Sequence, residues 1–238
     1  MNYFSSNFTL GILGGGQLGK MLLQVTSQLS IKTNILDPSK YSPCKNLCNE
    51  FTKGNLMDFD SVYKFGKKCD IVTFEIEHVN ANALEKLESE GVLVYPSSKT
   101  LKIIQDKGLQ KQFFLDNNIP TANFRYFQSY NDFKNSSYKN EISFPCVWKK
   151  TKFGYDGYGV EIINSIEDLE KLPENEFIIE ELIPFQKELA TTIVRNKSGE
   201  VEIFPMVEMD FNKKSNQVEF VICPAQIDQK LIELGTQI

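Results

Sequence analysis

Apolar and polar positions follow one regime over the first hundred residues and another beyond. Residues 8–13 form a short apolar run of strand-forming side chains that ends in Gly14-Gly15-Gly16. Leu18, Met21, Leu22, Val25 and Leu29 then recur three and four apart, so they share one face of a helix over 17–29. A second apolar run, 31–36, is closed by Asp37-Pro38. Residues 39–49 are turn-rich. A strand at 71–74, a helix at 79–90 and a strand at 92–95 stopped by Pro96 complete the series. Strands that alternate with helices predict βαβ units and a parallel sheet.

After about Ser98 the regime changes. Residues 100–117 read as one helix, which Ile119-Pro120 breaks. Strand-like runs follow at 124–127, 146–149, 159–163, 177–181, 188–194, 201–207 and 218–223, with short helical stretches at 130–138, 166–172 and 226–234. This pattern predicts a second, α+β domain and divides the chain into 1–98 and 99–238. The polar stretch 131–140 needs nothing more than a solvated helix or loop. No internal repeat and no long low-complexity segment is visible.

Composition narrows the function. A chain of 238 residues suits one large or two small domains, and 41% apolar with 24% charged residues is ordinary for a soluble globular protein. The 26 basic against 31 acidic side chains give a net charge of −5, which argues against nucleic acid or anionic membrane as a partner. Apolar stretches fall well short of the ~20 residues of a membrane span. The start of the chain lacks a basic region and a long apolar region, so no signal peptide is expected. The five cysteines are scattered, and Cys44 and Cys48 have no second Cys or His pair to complete a zinc site. Reduced thiols in a cytoplasmic protein are expected. A lone histidine, His78, excludes His-rich metal sites.

Three clusters carry candidate chemistry. Gly14-Gly15-Gly16-Gln17-Leu18-Gly19 matches G-x-G-x-x-G between a predicted strand and a predicted helix. Glycines there allow a tight turn and close approach of a ligand, and the helix N-terminus offers N–H groups to an anion. Asp37 ends the next strand, where a dinucleotide fingerprint places its ribose-binding acid. The same loop nearly fits a P-loop through Gly19-Lys20, but Met21 replaces the magnesium-binding hydroxyl. A tight turn without ligand is the remaining reading. The second cluster is Gly154, Gly157 and Gly159, just after Lys149 and Lys150 at a strand end. Such a loop suits a flap over phosphates with Lys149 as a point charge, or an ordinary hairpin with solvated lysines. The third is Glu180-Glu181 at the end of an apolar strand, followed by Glu188. Acids so placed suit a ribose hydroxyl or an adenine amino group, or simply a solvated strand end.

In this order the clusters resemble the ATP-grasp ligases, which hold ATP between two α+β lobes and phosphorylate a carboxylate. The likeness narrows to the 5-(carboxyamino)imidazole ribonucleotide synthase family. Residues 11–21 resemble that family's opening, and Val72-Thr73-Phe74-Glu75-Ile76-Glu77-His78-Val79 resembles its N-terminal signature. Tyr95-Pro96-Ser97, Gln105-Asp106-Lys107, Gly154-Tyr155-Asp156-Gly157 with Gly159, and Phe204-Pro205-Met206-Val207-Glu208 resemble further family segments. The resemblance runs from about Phe8 to about Cys223. It implies a Rossmann-like α/β pre-ATP-grasp domain, then an α+β ATP-grasp domain incomplete at its C-terminus, with the flap-bearing lobe at about 122–182.

The resemblance also implies a reaction. ATP and bicarbonate give carboxyphosphate, which carboxylates the amine of aminoimidazole ribonucleotide in purine biosynthesis, with ADP and phosphate as co-products. Lys107, in place of an arginine, and Lys149 are expected at ATP phosphate. Gly154, Tyr155, Asp156, Gly157, Tyr158 and Gly159 are expected to form the flap, with Tyr155 and Asp156 as catalytic residues near bicarbonate. Glu180, Glu181, Leu182 and Ile183 should border adenine, Glu188 should hold the ribose, and Phe211 should line the ATP site. Gly15, Gly16, Gln17 and Leu18, with Glu75 or Glu77, should face the ribonucleotide. Phe153 replaces an expected glycine, and Tyr158 stands where a basic residue is common. ATP and Mg2+ are the implied cofactors. The family's magnesium ligands are expected beyond Ile238, so weak turnover is expected of this chain alone. A homodimer is implied for the full-length protein. Three further readings remain: another ATP-grasp ligase, a nicotinamide dehydrogenase, and a nucleotide-binding fragment without turnover.

Overall fold

The computed structural model describes residues 7–152, 154, 159–212 and 218–238. The chain forms two compact units that divide after Asp106.

The first unit contains β1 (Thr9–Leu13), α1 (Gln17–Gln28), β2 (Lys32–Asp37), β3 (Glu50–Lys53), α2 (Phe59–Gly66), β4 (Ile71–Phe74), α3 (Ala81–Ser89), β5 (Leu93–Val94) and α4 (Ser98–Ile104). Its sheet has the order β3-β2-β1-β4-β5, and all its pairings are parallel. Strand order reverses between β1 and β4, so a crevice opens at their carboxyl ends, where α/β sheets bind ligands. One core cluster packs Leu13, Val72 and Val94 with Val62 and Phe65 of α2 and Leu84 and Leu87 of α3. Another packs Ile12 and Ile35 with Leu23 of α1 and Cys44.

Three features of this unit depart from the apolar pattern. First, β3 and α2 occupy a stretch between 50 and 66 that the apolar pattern does not mark. Asp58 starts α2 by accepting the Ser61 N–H, and Val62 and Phe65 are buried. Second, Leu18, Met21, Val25 and Leu29 of α1 face outward, each more than 40% exposed. Gly19, Leu23 and Thr26 face the sheet instead; small residues there let the helix approach closely. Third, residues 100–117 are two helices rather than one. Helix α4 stays with the first unit, because Lys102 pairs with Glu85 and Ser98 is held by Glu88 of α3. Lys107 N–H instead donates to Thr151 O at 2.9 Å, which commits the next helix to the second unit.

The second unit contains α5 (Lys107–Asp116), β6 (Phe124–Phe127), α6 (Tyr130–Asn135), β7 (Cys146–Lys150), β8 (Val160–Ile163), α7 (Ile166–Leu169), β9 (Phe177–Glu181), β10 (Glu188–Ala190), β11 (Ile193–Arg195), β12 (Val201–Ile203), β13 (Val207–Phe211), β14 (Val218–Ile222) and α8 (Gln229–Gly235). A four-stranded sheet runs β6-β9-β7-β8, antiparallel throughout. One of its faces builds a core of Phe127, Cys146, Trp148, Ile163, Phe177 and Ile179 with Phe133 and Leu169. Two smaller antiparallel sheets follow, β10-β13-β14 and β11-β12. Apolar strand runs at 188–194 and 201–207 are each interrupted, since 191–192 and 204–206 turn the chain between sheets. Among the described residues no helix is long and apolar enough to cross a membrane.

Candidate functional site

Alternation along β7 and β9 divides each strand between two faces. Cys146, Trp148, Phe177 and Ile179 enter the core. Val147, Lys149, Ile178 and Glu180 therefore share the opposite face. Val147 stands opposite Glu180, which leaves Lys149 one diagonal step away. Lys149 Nζ donates to Glu180 Oε2 at 2.7 Å. Glu180 is only 4% exposed. A buried carboxylate requires such a partner, since an unpaired charge is costly in the interior.

Helix α5 lies against β9 and adds a second cation. Lys111 Nζ is 3.1 Å from Glu180 Oε1 and donates to Thr121 Oγ1 at 2.5 Å. Glu180 Oε1 nevertheless accepts no hydrogen bond from any described residue. Lys111 supplies charge to this oxygen without hydrogen-bond geometry, while its hydrogen bond goes to Thr121. Two ammonium groups against one carboxylate leave one positive charge, together with a buried acceptor that lacks a donor. Both features fit an adenine nucleotide, whose amino group donates and whose phosphates are anionic.

The other expected residues of the second unit fall at or near element ends. Lys107 is the first residue of α5 and half-buried. Glu181 is exposed, and its carboxylate accepts from Asn123 N–H at 3.0 Å and Asn123 Nδ2 at 3.1 Å. Those two bonds hold its carboxyl below the usual range, and its backbone N–H donates to Asn123 O at 3.0 Å. Leu182 is half-buried and Ile183 is 45% exposed. Glu188 opens β10 opposite Met209, and Phe211 ends β13 at an irregularity in its pairing with β14. Gly154 and Gly159 bracket the flap segment. Lys150 N–H donates to Gly159 O at 2.9 Å, and Gly159 takes φ +77°. Tyr155, Asp156, Gly157 and Tyr158, expected in the flap, lie with Phe153 outside the described residues.

Sequence reasoning missed Lys111. A signal was present, because Lys107 and Lys111 are four apart on one helix and so lie on one face.

The glycine loop of the first unit is held by acids. Gly14 has φ +99°, and a Cβ there would come within 2.6 Å of Glu75 Oε1. Gly15 N–H donates to Asp37 Oδ2 at 2.8 Å, and Gly16 N–H donates to Glu75 Oε1 at 2.9 Å. Asp37 Oδ1 accepts the Ser39 N–H at 2.7 Å, while Ser42 Oγ donates to Gly15 O at 2.7 Å. Asp37 thus engages each carboxylate oxygen with one backbone N–H, which uses about half of its acceptor capacity to hold the turn rather than a dinucleotide ribose. The loop's first three N–H groups are likewise taken. Gln17 and Leu18 open α1 and are exposed. Glu77 is exposed, and its carbonyl accepts from Gln105 Nε2 at 2.6 Å, which ties α4 to the turn after β4.

Other chemistry finds less support. Burial pushes the thiols of Cys44 and Cys146 up to about 11 and that of Cys69 up to about 12, far from the range of nucleophiles. Among the described residues no group of three or more His, Cys, Asp or Glu is placed to hold a metal ion.

Comparison with known proteins agrees with both units. Residues 8–105 match the ribonucleotide synthetase preATP-grasp domain, and residues 112–238 match the ATP-grasp domain. The N5-carboxyaminoimidazole ribonucleotide synthase of a Synechocystis species is 34% identical over 224 residues, which is 92% of this chain and 55% of that protein. The Aspergillus clavatus carboxyaminoimidazole ribonucleotide synthase in complex with ATP superposes with a TM-score of 0.88 at 31% identity, covering 99% of this chain and 62% of that one. The Aspergillus clavatus enzyme with ADP and 5-aminoimidazole ribonucleotide gives 0.84 at 30% identity, covering 97% and 60%. The chain thus spans 55–62% of the length of these relatives. With both domains matched in order, the chain belongs to the ATP-grasp family, and the relatives it resembles across both domains are N5-carboxyaminoimidazole ribonucleotide synthases.

Proposed function

We propose that this chain carries the nucleotide site of a cytoplasmic ligase that carboxylates 5-aminoimidazole ribonucleotide with ATP and bicarbonate. The observation that carries the reading is the face of β7 and β9, where Lys149 and Lys111 flank a buried Glu180 that has an open acceptor. Adenine would donate its amino group to Glu180 Oε1. Lys149 and Lys107 would meet the phosphates as point charges, and Glu188 would hold the ribose through its hydroxyls. The backbone of 181–183 would border the base, and Phe211 would line the same site. The flap residues Gly154, Tyr155, Asp156, Gly157, Tyr158 and Gly159 would close over the phosphates and keep water from the reactive intermediate.

The chemistry conserves every group. A bicarbonate oxygen attacks the γ-phosphorus and ADP leaves, so the carboxyl carbon gains a phosphate leaving group. The amine of the ribonucleotide then forms the C–N bond and loses a proton as phosphate departs. The protein contributes chiefly position and charge. In the first unit, Asp37 and Glu75 shape the turn at Gly15 and Gly16. The ribonucleotide would approach Glu75 and the exposed start of α1 at Gln17 and Leu18, with Glu77 at the rim. No step is assigned to a metal.

The test adds ATP, magnesium and bicarbonate to the chain and follows ADP release with and without the ribonucleotide. Release that requires the ribonucleotide supports the carboxylation; release indifferent to it points to another ATP-grasp substrate. Saturable ATP binding without release supports a second reading, nucleotide binding without turnover.

A further inference from the structure

Lys149 faces a conflict that its own position does not resolve. It is expected to neutralise phosphate, yet its ammonium is bound to Glu180 at 2.7 Å. Glu180 has a side chain only 5% exposed, so releasing Lys149 to a ligand would strip a buried carboxylate of its hydrogen-bonding cation. With Lys149 as its sole partner, Glu180 would hold that lysine in a neutral pair.

Lys111 changes this balance. Its side chain is 12% exposed, less than half the 28% of Lys149. It lies 3.1 Å from the other carboxylate oxygen and is anchored by Thr121. Its stem is fixed on α5, on the side of the strand pair away from the aromatic core. Glu180 therefore remains paired wherever Lys149 points.

We propose that Lys111 is a positioning residue: it holds the charge of Glu180 so that Lys149 can leave the carboxylate and engage nucleotide phosphate. This rests on the ATP reading given above and adds a residue to it. Lys111 touches neither phosphate nor base, and it acts only through Glu180 and Lys149.

The experiment compares ADP and adenosine binding to the 238-residue chain by calorimetry, in the unsubstituted protein and in Lys111→Met, Lys111→Arg, Glu180→Gln and Lys111→Met/Glu180→Gln. Lys111→Met is expected to weaken ADP at least tenfold while adenosine changes less than twofold, because only the phosphate contact depends on a free Lys149. Lys111→Arg is expected to restore most of the ADP affinity. In the Glu180→Gln background there is no carboxylate to trap Lys149, so adding Lys111→Met should cost no further ADP affinity. That comparison also serves if Lys111→Met alone folds poorly. Equal losses for ADP and adenosine, or a full loss persisting in the Glu180→Gln background, would overturn the proposal. If the unsubstituted chain binds ADP and Lys111→Met binds it equally well, this inference fails alone. If the unsubstituted chain binds no ADP, the ATP reading fails with it.

Discussion

Single residues in this protein are constrained by different physical terms, and paired substitutions separate them. Gly14 and Gly91 both have positive φ, +99° and +88°. A Cβ at Gly91 meets nothing within 4 Å, whereas one at Gly14 meets Glu75 at 2.6 Å. Gly91→Ala should therefore cost only the left-handed backbone penalty, about 1–2 kcal/mol. Gly14→Ala should cost more, because Glu75 must also release the Gly16 N–H, a charge-assisted bond of about 1.5–3 kcal/mol. Urea unfolding of the two variants checks the order, and equal losses would contradict it. Glu181 gives a pH signature. Asn123 holds its carboxyl below the usual 4.5, so the stabilising contribution is complete above that value and is lost as pH falls through the depressed one. A carbon-detected titration should find Glu181 ionised below pH 4.5, and Asn123→Ala should move it partway back. An ordinary midpoint in the unsubstituted protein would refute the contact.

Elements were legible in the sequence wherever the apolar period was undisturbed by tertiary contacts. Strands 71–74, 124–127 and 177–181 coincide with β4, β6 and β9. Helix 100–117 was not legible as two helices. Its break depends on Lys107 N–H finding Thr151 O, a contact 44 residues away that no local spacing encodes. Strand β3 is half polar (Glu50 and Lys53 flank Phe51 and Thr52), so it lacks a buried run and escapes a hydrophobicity reading. The outward face of α1 shows the same limit in reverse. Its apolar stripe over Leu18, Met21, Val25 and Leu29 gave the helix correctly, but the sheet packs against Gly19, Leu23 and Thr26. At the site, the residue types of Lys149 and Glu180 suggested a nucleotide, while their joining at 2.7 Å came from strand register. Lys111 entered only through the packing of α5. Mutation of one partner should reflect that joining. Lys149→Ala removes a phosphate partner worth about 1.5–3 kcal/mol, so ATP affinity should fall roughly 10- to 100-fold by calorimetry. An unchanged affinity would remove Lys149 from the site.

At the scale of the whole molecule, burial is uneven. The parallel sheet of the first unit and the β6-β9-β7-β8 sheet of the second each carry buried clusters. Strands β11, β12 and β14 are exposed at every residue. Local opening is cheapest where few apolar contacts must break. Amide hydrogen exchange should therefore be slowest in β1 and β9 and fastest in β11, β12 and β14, and uniform protection would contradict this distribution. The same unevenness places the proposed nucleotide face on the well-buried sheet of the second unit, where the carboxylate of Glu180 is buried. The central claim, that this face takes ATP while the glycine loop takes no dinucleotide, is tested most directly by titrating ATP and NADH separately into the 238-residue chain. Saturable ATP binding that Lys149→Ala weakens, with no NADH binding, is the predicted result. NADH binding without ATP binding would contradict it.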